Sequence, residues 1–228
     1  MSDRVIVINP NSTKAVTVAM DRAFDPLRVE GGPEIESVTN HDGPPGIEKQ
    51  QHVEQVSAHI CRIIEARDKD AGAFVIACFS DPGMFAAREA TTKPVFGIAE
   101  SGILSALSLG NRFGVIAILA QSIPRHIRYI RSLGLEGRLA GDLAIGLGVA
   151  ELAQEEKTFE RMIKVGEKLR DDKAADVLVM GCAGMARYRV PLENRLGISV
   201  VDPAQAAVGM AISAIRLGQT NSTRCMML

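Results

Sequence analysis
Hydrophobic positions fall in short uninterrupted runs, separated by longer stretches where they recur every three or four residues. Val5-Ile6-Val7-Ile8 is a β-branched run of the kind found in a strand covered on both faces. It ends at Asn9-Pro10-Asn11-Ser12, where Asn11 or Ser12 can cap a helix from about Thr13 to Phe24. A second strand is predicted near Ile35–Val38, and Thr39-Asn40-His41-Asp42-Gly43-Pro44-Pro45-Gly46 is turn chemistry. Val53, Val56, Ile60, Ile63 and Ile64 share one helical face, which leads into the run Ala73-Phe74-Val75-Ile76-Ala77. The second half repeats this order. Its strongest helix covers roughly Ala150 to Asp172, with Leu152, Phe159, Met162, Ile163 and Leu169 inward and a charged face that reads as solvated surface. Alternating strands and helices predict an α/β protein of two lobes, each a parallel sheet flanked by helices.

The two halves align with each other. Arg4-Val5-Ile6-Val7-Ile8 corresponds to Arg112-Phe113-Gly114-Val115-Ile116, an offset of 108. Cys78 follows one buried run, and Cys182 follows Val177-Leu178-Val179-Met180-Gly181 at an offset of 104. Glu100 and Asp202, each ahead of a helical stretch, are offset by 102. Each cysteine therefore sits at the C-terminal tip of a predicted parallel strand, where open α/β sheets bind ligands. One thiol from each half suggests an acid and a base on opposite faces of one substrate carbon.

Composition narrows the partners. At 228 residues and 46% hydrophobic content the chain builds a substantial core. A net charge of -1 and the absence of Trp argue against nucleic acid and anionic membrane partners. Neither a secretory leader pattern nor a membrane-spanning run is apparent, so the expectation is a soluble cytoplasmic protein with reduced thiols. His41, His52, His59 and His126 show no metal-ligand spacing, and no Cys-x-x-Cys occurs. Gly146-Leu147-Gly148 lacks the context of a phosphate loop, and Asn9-Pro10-Asn11-Ser12 replaces a glycine-rich dinucleotide fingerprint. No metal and no cofactor are expected.

Three segments carry a family resemblance: Asn9-Pro10-Asn11-Ser12-Thr13, Ala77-Cys78-Phe79-Ser80-Asp81-Pro82-Gly83 and Gly181-Cys182-Ala183-Gly184-Met185. In this order, over nearly the whole chain, they resemble the aspartate/glutamate racemase superfamily, and within it the hydantoin and allantoin racemase branch. The resemblance implies a pseudo-symmetric fold with a cofactor-independent two-thiol site in the cleft between lobes. It implies that the helices after Glu100 and Asp202 cross to the opposite lobe, giving lobes of about 1–98 with 205–228, and 99–204. It also implies a small-molecule substrate and a homo-oligomer.

Under this reading Cys78 and Cys182 are the catalytic pair, alternating as thiolate base and thiol acid. A free thiol has a pKa near 8.5, which leaves both forms accessible, and a helix N-terminus after each cysteine is expected to lower it. Ser80, Asp81 and Pro82 fit such a helix start, and their amides are candidates to hold an enolate oxygen. Candidate substrate-binding positions are Asn9, Asn11, Ser80, Asp81, Ala183 and Gly184; Asn9 and Asn11 equally suit bracing the first turn. Glu100 and Asp202 are helix-start acids with an orienting role as the alternative. Cys61 and Cys225 read as incidental.

Two departures from the branch bear on substrate. Hydantoin racemases carry a Ser where this chain has Gly46, and adjacent Thr residues where it has Ala117-Ile118. Two hydroxyl contacts are thus missing, Gly46 leaves room, and that wall becomes more apolar. The favoured substrate is a 5-substituted hydantoin or allantoin-like ring. A maleate isomerase-like reaction, an Asp/Glu-type amino-acid racemase and a non-catalytic two-lobe binding protein are the alternatives.

Overall fold
In the computed structural model, which describes residues 3–222, the chain forms two four-stranded parallel sheets. The first comprises β1 (Arg4–Asn9), β2 (Glu34–Thr39), β3 (Ala73–Ile76) and β4 (Val95–Gly97), in the order β2-β1-β3-β4. The second comprises β5 (Phe113–Ala117), β6 (Leu139–Ala144), β7 (Val177–Met180) and β8 (Ser199–Val201), in the order β6-β5-β7-β8. The shared order is the internal duplication seen in three dimensions. Cys225 lies outside the described residues.

Among the described residues, eight α-helices surround the sheets: α1 (Lys14–Arg22), α2 (Gln50–Arg67), α3 (Met84–Glu89), α4 (Ile98–Leu109), α5 (Ile123–Ser132), α6 (Glu155–Asp171), α7 (Arg189–Leu196) and α8 (Pro203–Arg216). The period-two pleat explains why the strand runs are hydrophobic throughout. Val5 and Val7 face Met20 and Phe24 together with Ala204, Ala207, Val208 and Ala211 of α8. Ile6 and Ile8 face Val53, Val56, Ile60 and Ile64 of α2. In the second lobe, Phe113, Val115, Val177 and Val179 pack on Ile103 and Ala106 of α4 and Ile130 of α5, whereas Leu178 and Met180 pack on Met162, Leu169, Leu192 and Leu196.

Thus α4, which follows the first sheet, covers the second, and α8, which follows the second, covers the first. The two helices pack against each other at Gly102, where an added Cβ would lie 2.7 Å from Pro203 Cβ.

Some boundaries differ from the sequence expectations. The predicted helix over 150–172 is a 3-10 turn at Val149–Ala153 followed by α6, because Gln154, at φ -80° and ψ 81°, is not helical. The first helix has Thr13 as its N-cap; Asn11 supports it by accepting the Thr13 N–H at 2.9 Å. Among the described residues no helix is long and apolar enough to cross a membrane, and no group of His, Cys, Asp and Glu is arranged to hold a metal ion.

Candidate active site
Each cysteine stands just beyond the C-terminal end of the third strand of its sheet in chain order. Gly181, between β7 and Cys182, is held by its N–H to the Ile116 carbonyl at 2.9 Å, and an added Cβ would lie 2.7 Å from that oxygen. The residue before the second cysteine must therefore be glycine. Cys78 and Cys182 line one cleft. The first lobe contributes Asn11, Ile47, Phe79 and Ser80, and the second Ile118, Ser122, Arg125, His126, Val149 and Ala183.

The predicted site residues divide between the cleft wall and its support. Asn11, Ser80 and Ala183 line the cleft beside the two thiols. Asn9 is fully buried and braces the turn after β1: its Nδ2 donates to Thr17 Oγ1 at 2.9 Å and to Asn11 Oδ1 at 3.2 Å, and its Oδ1 accepts the Asn11 N–H. Gly184 lies outside the wall, and its N–H supports the Cys182 sulfur.

Asp81 also turns away from the cleft. Its carboxylate accepts the Ala99 N–H at 2.9 Å, the Glu100 N–H at 2.8 Å and the Tyr129 hydroxyl at 2.9 Å. It therefore caps α4 instead of the helix that follows it in sequence. A Cβ on Gly97 would lie 2.1 Å from that carboxyl carbon, so glycine is needed for the approach. Asp81 itself has a φ of +41°, a left-handed conformation that Asp tolerates better than most residues. Burial raises its pKa to about 7, despite the backbone N–H bonds that favour the charged form. Asp202 is the N-cap of α8, accepting from Ala204 and Gln205, and Glu100 pairs with Arg88 at 2.6 Å.

The expected lowering of both thiol pKa values is not found. After Cys78 the α-helix begins only at Met84, and the Ser80 and Asp81 N–H groups are spent on the Cys78 carbonyl oxygen at 2.7 and 3.0 Å. They are not free for a thiolate or an enolate. Burial pushes the Cys78 thiol up to about 12, against the Arg125 charge, which pulls it down, as does the Ser80 hydroxyl. Burial raises Cys182 to about 11, against the Gly184 N–H. Desolvation outweighs the local dipoles at both sulfurs. Cys61, on α2, is not among the residues that line the cleft.

Gly46 does not open the cleft. The place of its missing side chain is filled by Val149, whose Cγ2 would be 2.9 Å from an added Cβ. Ile118 lines the cleft, as an apolar wall requires, whereas Ala117 is not part of the lining.

Sequence reasoning overlooked Ser122 and Arg125, and considered His126 only as a metal ligand. All three stand at the start of α5. Arg125 Nε donates to Ser80 Oγ at 2.7 Å, and His126 Nδ1 lies 2.8 Å from Asp142 Oδ2. The duplication does not mark them, since at an offset of 108 the Asn9-Pro10-Asn11-Ser12 turn corresponds to residues 117–120, ahead of all three.

Comparison with known proteins matches a family model described as Asp/Glu/Hydantoin racemase over residues 5–211. The hydantoin racemase of Paenarthrobacter aurescens is 32% identical over 223 residues, spanning 96% of this chain and 94% of that protein. The structure of allantoin racemase from Klebsiella pneumoniae superposes with a TM-score of 0.88 at 32% identity, covering 97% of this chain and 91% of that one. That of allantoin racemase from Pseudomonas fluorescens gives 0.91 at 27% identity, covering 97% and 94%.

Proposed function
The chain belongs to the Asp/Glu/hydantoin racemase family, and from that premise we propose that it is a racemase of hydantoin or allantoin-like rings in which Cys78 and Cys182 move the proton. The observation that carries the mechanism is the placement of the two thiols in one cleft, each at the tip of a different sheet. Inverting a carbon next to a carbonyl requires a proton to leave one face and another to arrive on the opposite face. In the reactive form one sulfur is a thiolate and the other a thiol. The thiolate takes the substrate proton, the electron pair delocalises into the ring carbonyl, and the opposite thiol returns its proton to the other face. The proton has then moved from one sulfur to the other, and the product leaves an enzyme poised for the reverse reaction.

Burial makes either thiolate scarce at neutral pH and correspondingly basic, suiting it to a weakly acidic C–H. Burial raises both sulfurs well above an ordinary thiol, against the Arg125 charge at Cys78 and the Gly184 N–H at Cys182. Asn9 and Asp81 support this site from behind its wall, as does Gly184 at the Cys182 sulfur. Substrate contacts fall to Asn11, Ser80 and Ala183.

The test is proton exchange followed by NMR in D₂O, using single enantiomers of allantoin, 5-alkyl and 5-aryl hydantoins, aspartate and glutamate. Deuterium at the stereocentre, together with loss of optical purity for a hydantoin-type ring, is the expected result. Folded protein with free thiols and no exchange across the panel would overturn the reading.

A further inference from the structure
Among the described residues, Arg125 is a buried cation that makes no salt bridge. Only 8% of its surface is exposed, and it stands in the cleft wall among Ile118, Val149 and Phe79. Its Nε donates to Ser80 Oγ at 2.7 Å and its Nη2 to Ser122 Oγ at 3.3 Å. Among the described residues it forms no ion pair, and Nη1 has no hydrogen-bond partner. The nearby carboxylates are committed elsewhere. Asp142 pairs with His126 at 2.8 Å, and Asp81 faces the start of α4 and Tyr129. Arg128, on the same helix, adds positive charge and donates to Gln50 at 3.0 Å.

A guanidinium keeps its charge in nearly every protein setting, and a buried charge is retained only where something compensates it. Two serine hydroxyls orient Arg125 but do not neutralise it. The Cys78 sulfur and the Asp142 carboxylate both favour its charge, but burial keeps that thiol protonated at neutral pH, and Asp142 is hydrogen-bonded to His126 and makes no salt bridge to Arg125. A planar fork fixed at one edge by Ser80 and Ser122, with its remaining N–H groups free, is suited to a carboxylate.

We propose that Arg125 is a specificity-determining residue that recognises a carboxylate on the substrate. The preferred substrate is therefore an anionic ring, a hydantoin whose 5-substituent ends in a carboxylate. The proposal rests on the racemase reading for the identity of the ring. The recognition of a carboxylate by Arg125 stands or falls separately. The other source of a carboxylate is a free acidic amino acid, which would offer the same anion without the ring.

The experiment compares 5-(2-carboxyethyl)hydantoin with its neutral carboxamide, with glutamate as a third arm, in the wild type and in Arg125→Met and Arg125→Lys. Both kcat/KM and calorimetric affinity are recorded. The wild type is expected to favour the carboxylate over the carboxamide by about 100-fold, the scale of a hydrogen-bonded charge pair. Arg125→Met is expected to bring that ratio close to one, and Arg125→Lys to give an intermediate value. A wild-type ratio near one overturns the proposal. So does an unchanged ratio in Arg125→Met, because an arginine acting only through the Cys78 thiolate lowers both substrates by the same factor. Preference for glutamate over the ring acid would keep the carboxylate contact and reject the ring. Should no compound racemise while calorimetry still shows the Arg125-dependent preference, the racemase reading falls and this proposal stands. If Arg125→Met does not fold, the wild-type ratio and the Arg125→Lys ratio decide the question.

Discussion
Gly46 and Val149 meet closely: a Cβ on the glycine would lie 2.9 Å from Val149 Cγ2 and 3.1 Å from Val149 Cβ. The approach is fixed by Glu48, whose Oε1 accepts the Val149 N–H at 3.1 Å. One loop of the first lobe is thereby keyed to a 3-10 turn of the second, and Ile47 and Val149 enter the cleft wall together.

Gly46→Ser should therefore be disruptive here, although a serine is what the resembled branch leads one to expect. The new side chain must push Val149 and its turn away, at a cost of about 1–3 kcal/mol. Val149→Ala in the same chain should recover most of that loss. Urea denaturation of the two single variants and the double variant measures the coupling. Additive effects would show that the two residues do not constrain each other.

Asp81 should act as a structural carboxyl with a measurable pH signature. Asp81→Ala removes the cap of α4 and the Tyr129 partner, costing about 1–2 kcal/mol. Burial lifts this carboxyl from 3.8 to about 7, so between those values the folded chain holds a proton that the unfolded chain has released. Its contribution to stability is present below pH 3.8 and is lost as the pH rises toward 7. Asp202, raised by burial to about 6, acts in the same direction over a narrower window. The free energy of unfolding should fall between pH 5 and 7.5, and fall less steeply in Asp81→Ala. Equal slopes for the two proteins would contradict the assignment.

The two cleft thiols should be slow to alkylate at neutral pH. With pKa values near 12 and 11, their iodoacetamide rates should rise about tenfold per pH unit from 7 to 10, since only the thiolate reacts. Site-resolved mass spectrometry reads this out, and a plateau near neutrality for either residue would show a thiolate stabilised beyond what burial permits.

The strands were legible because both faces of each sheet are covered, which leaves unbroken runs such as Val5-Ile6-Val7-Ile8 and Val177-Leu178-Val179-Met180. The cysteines were legible because they follow such runs. Three things were not. The destination of the Asp81 side chain depends on a left-handed backbone and on Gly97, 16 residues away, and no local pattern encodes that approach. The thiol acidities depend on desolvation by the packed surroundings of each sulfur, whereas the sequence displayed only the local turn chemistry that argues for lowering them. Arg125 sits in the basic helix Ile123-Pro124-Arg125-His126-Ile127-Arg128, where one buried arginine looks no different from its solvated neighbours until the lobes are brought together.

The central claim is that each sulfur serves one face of the substrate carbon. The most direct measurement is proton exchange in D₂O by Cys78→Ser and Cys182→Ser, each given both enantiomers of a turned-over 5-substituted hydantoin. Neither variant should interconvert the enantiomers. Each should exchange the proton of a single enantiomer without inverting it, and the two variants should select opposite enantiomers. Racemisation by either variant, or exchange of the same enantiomer by both, would contradict the account.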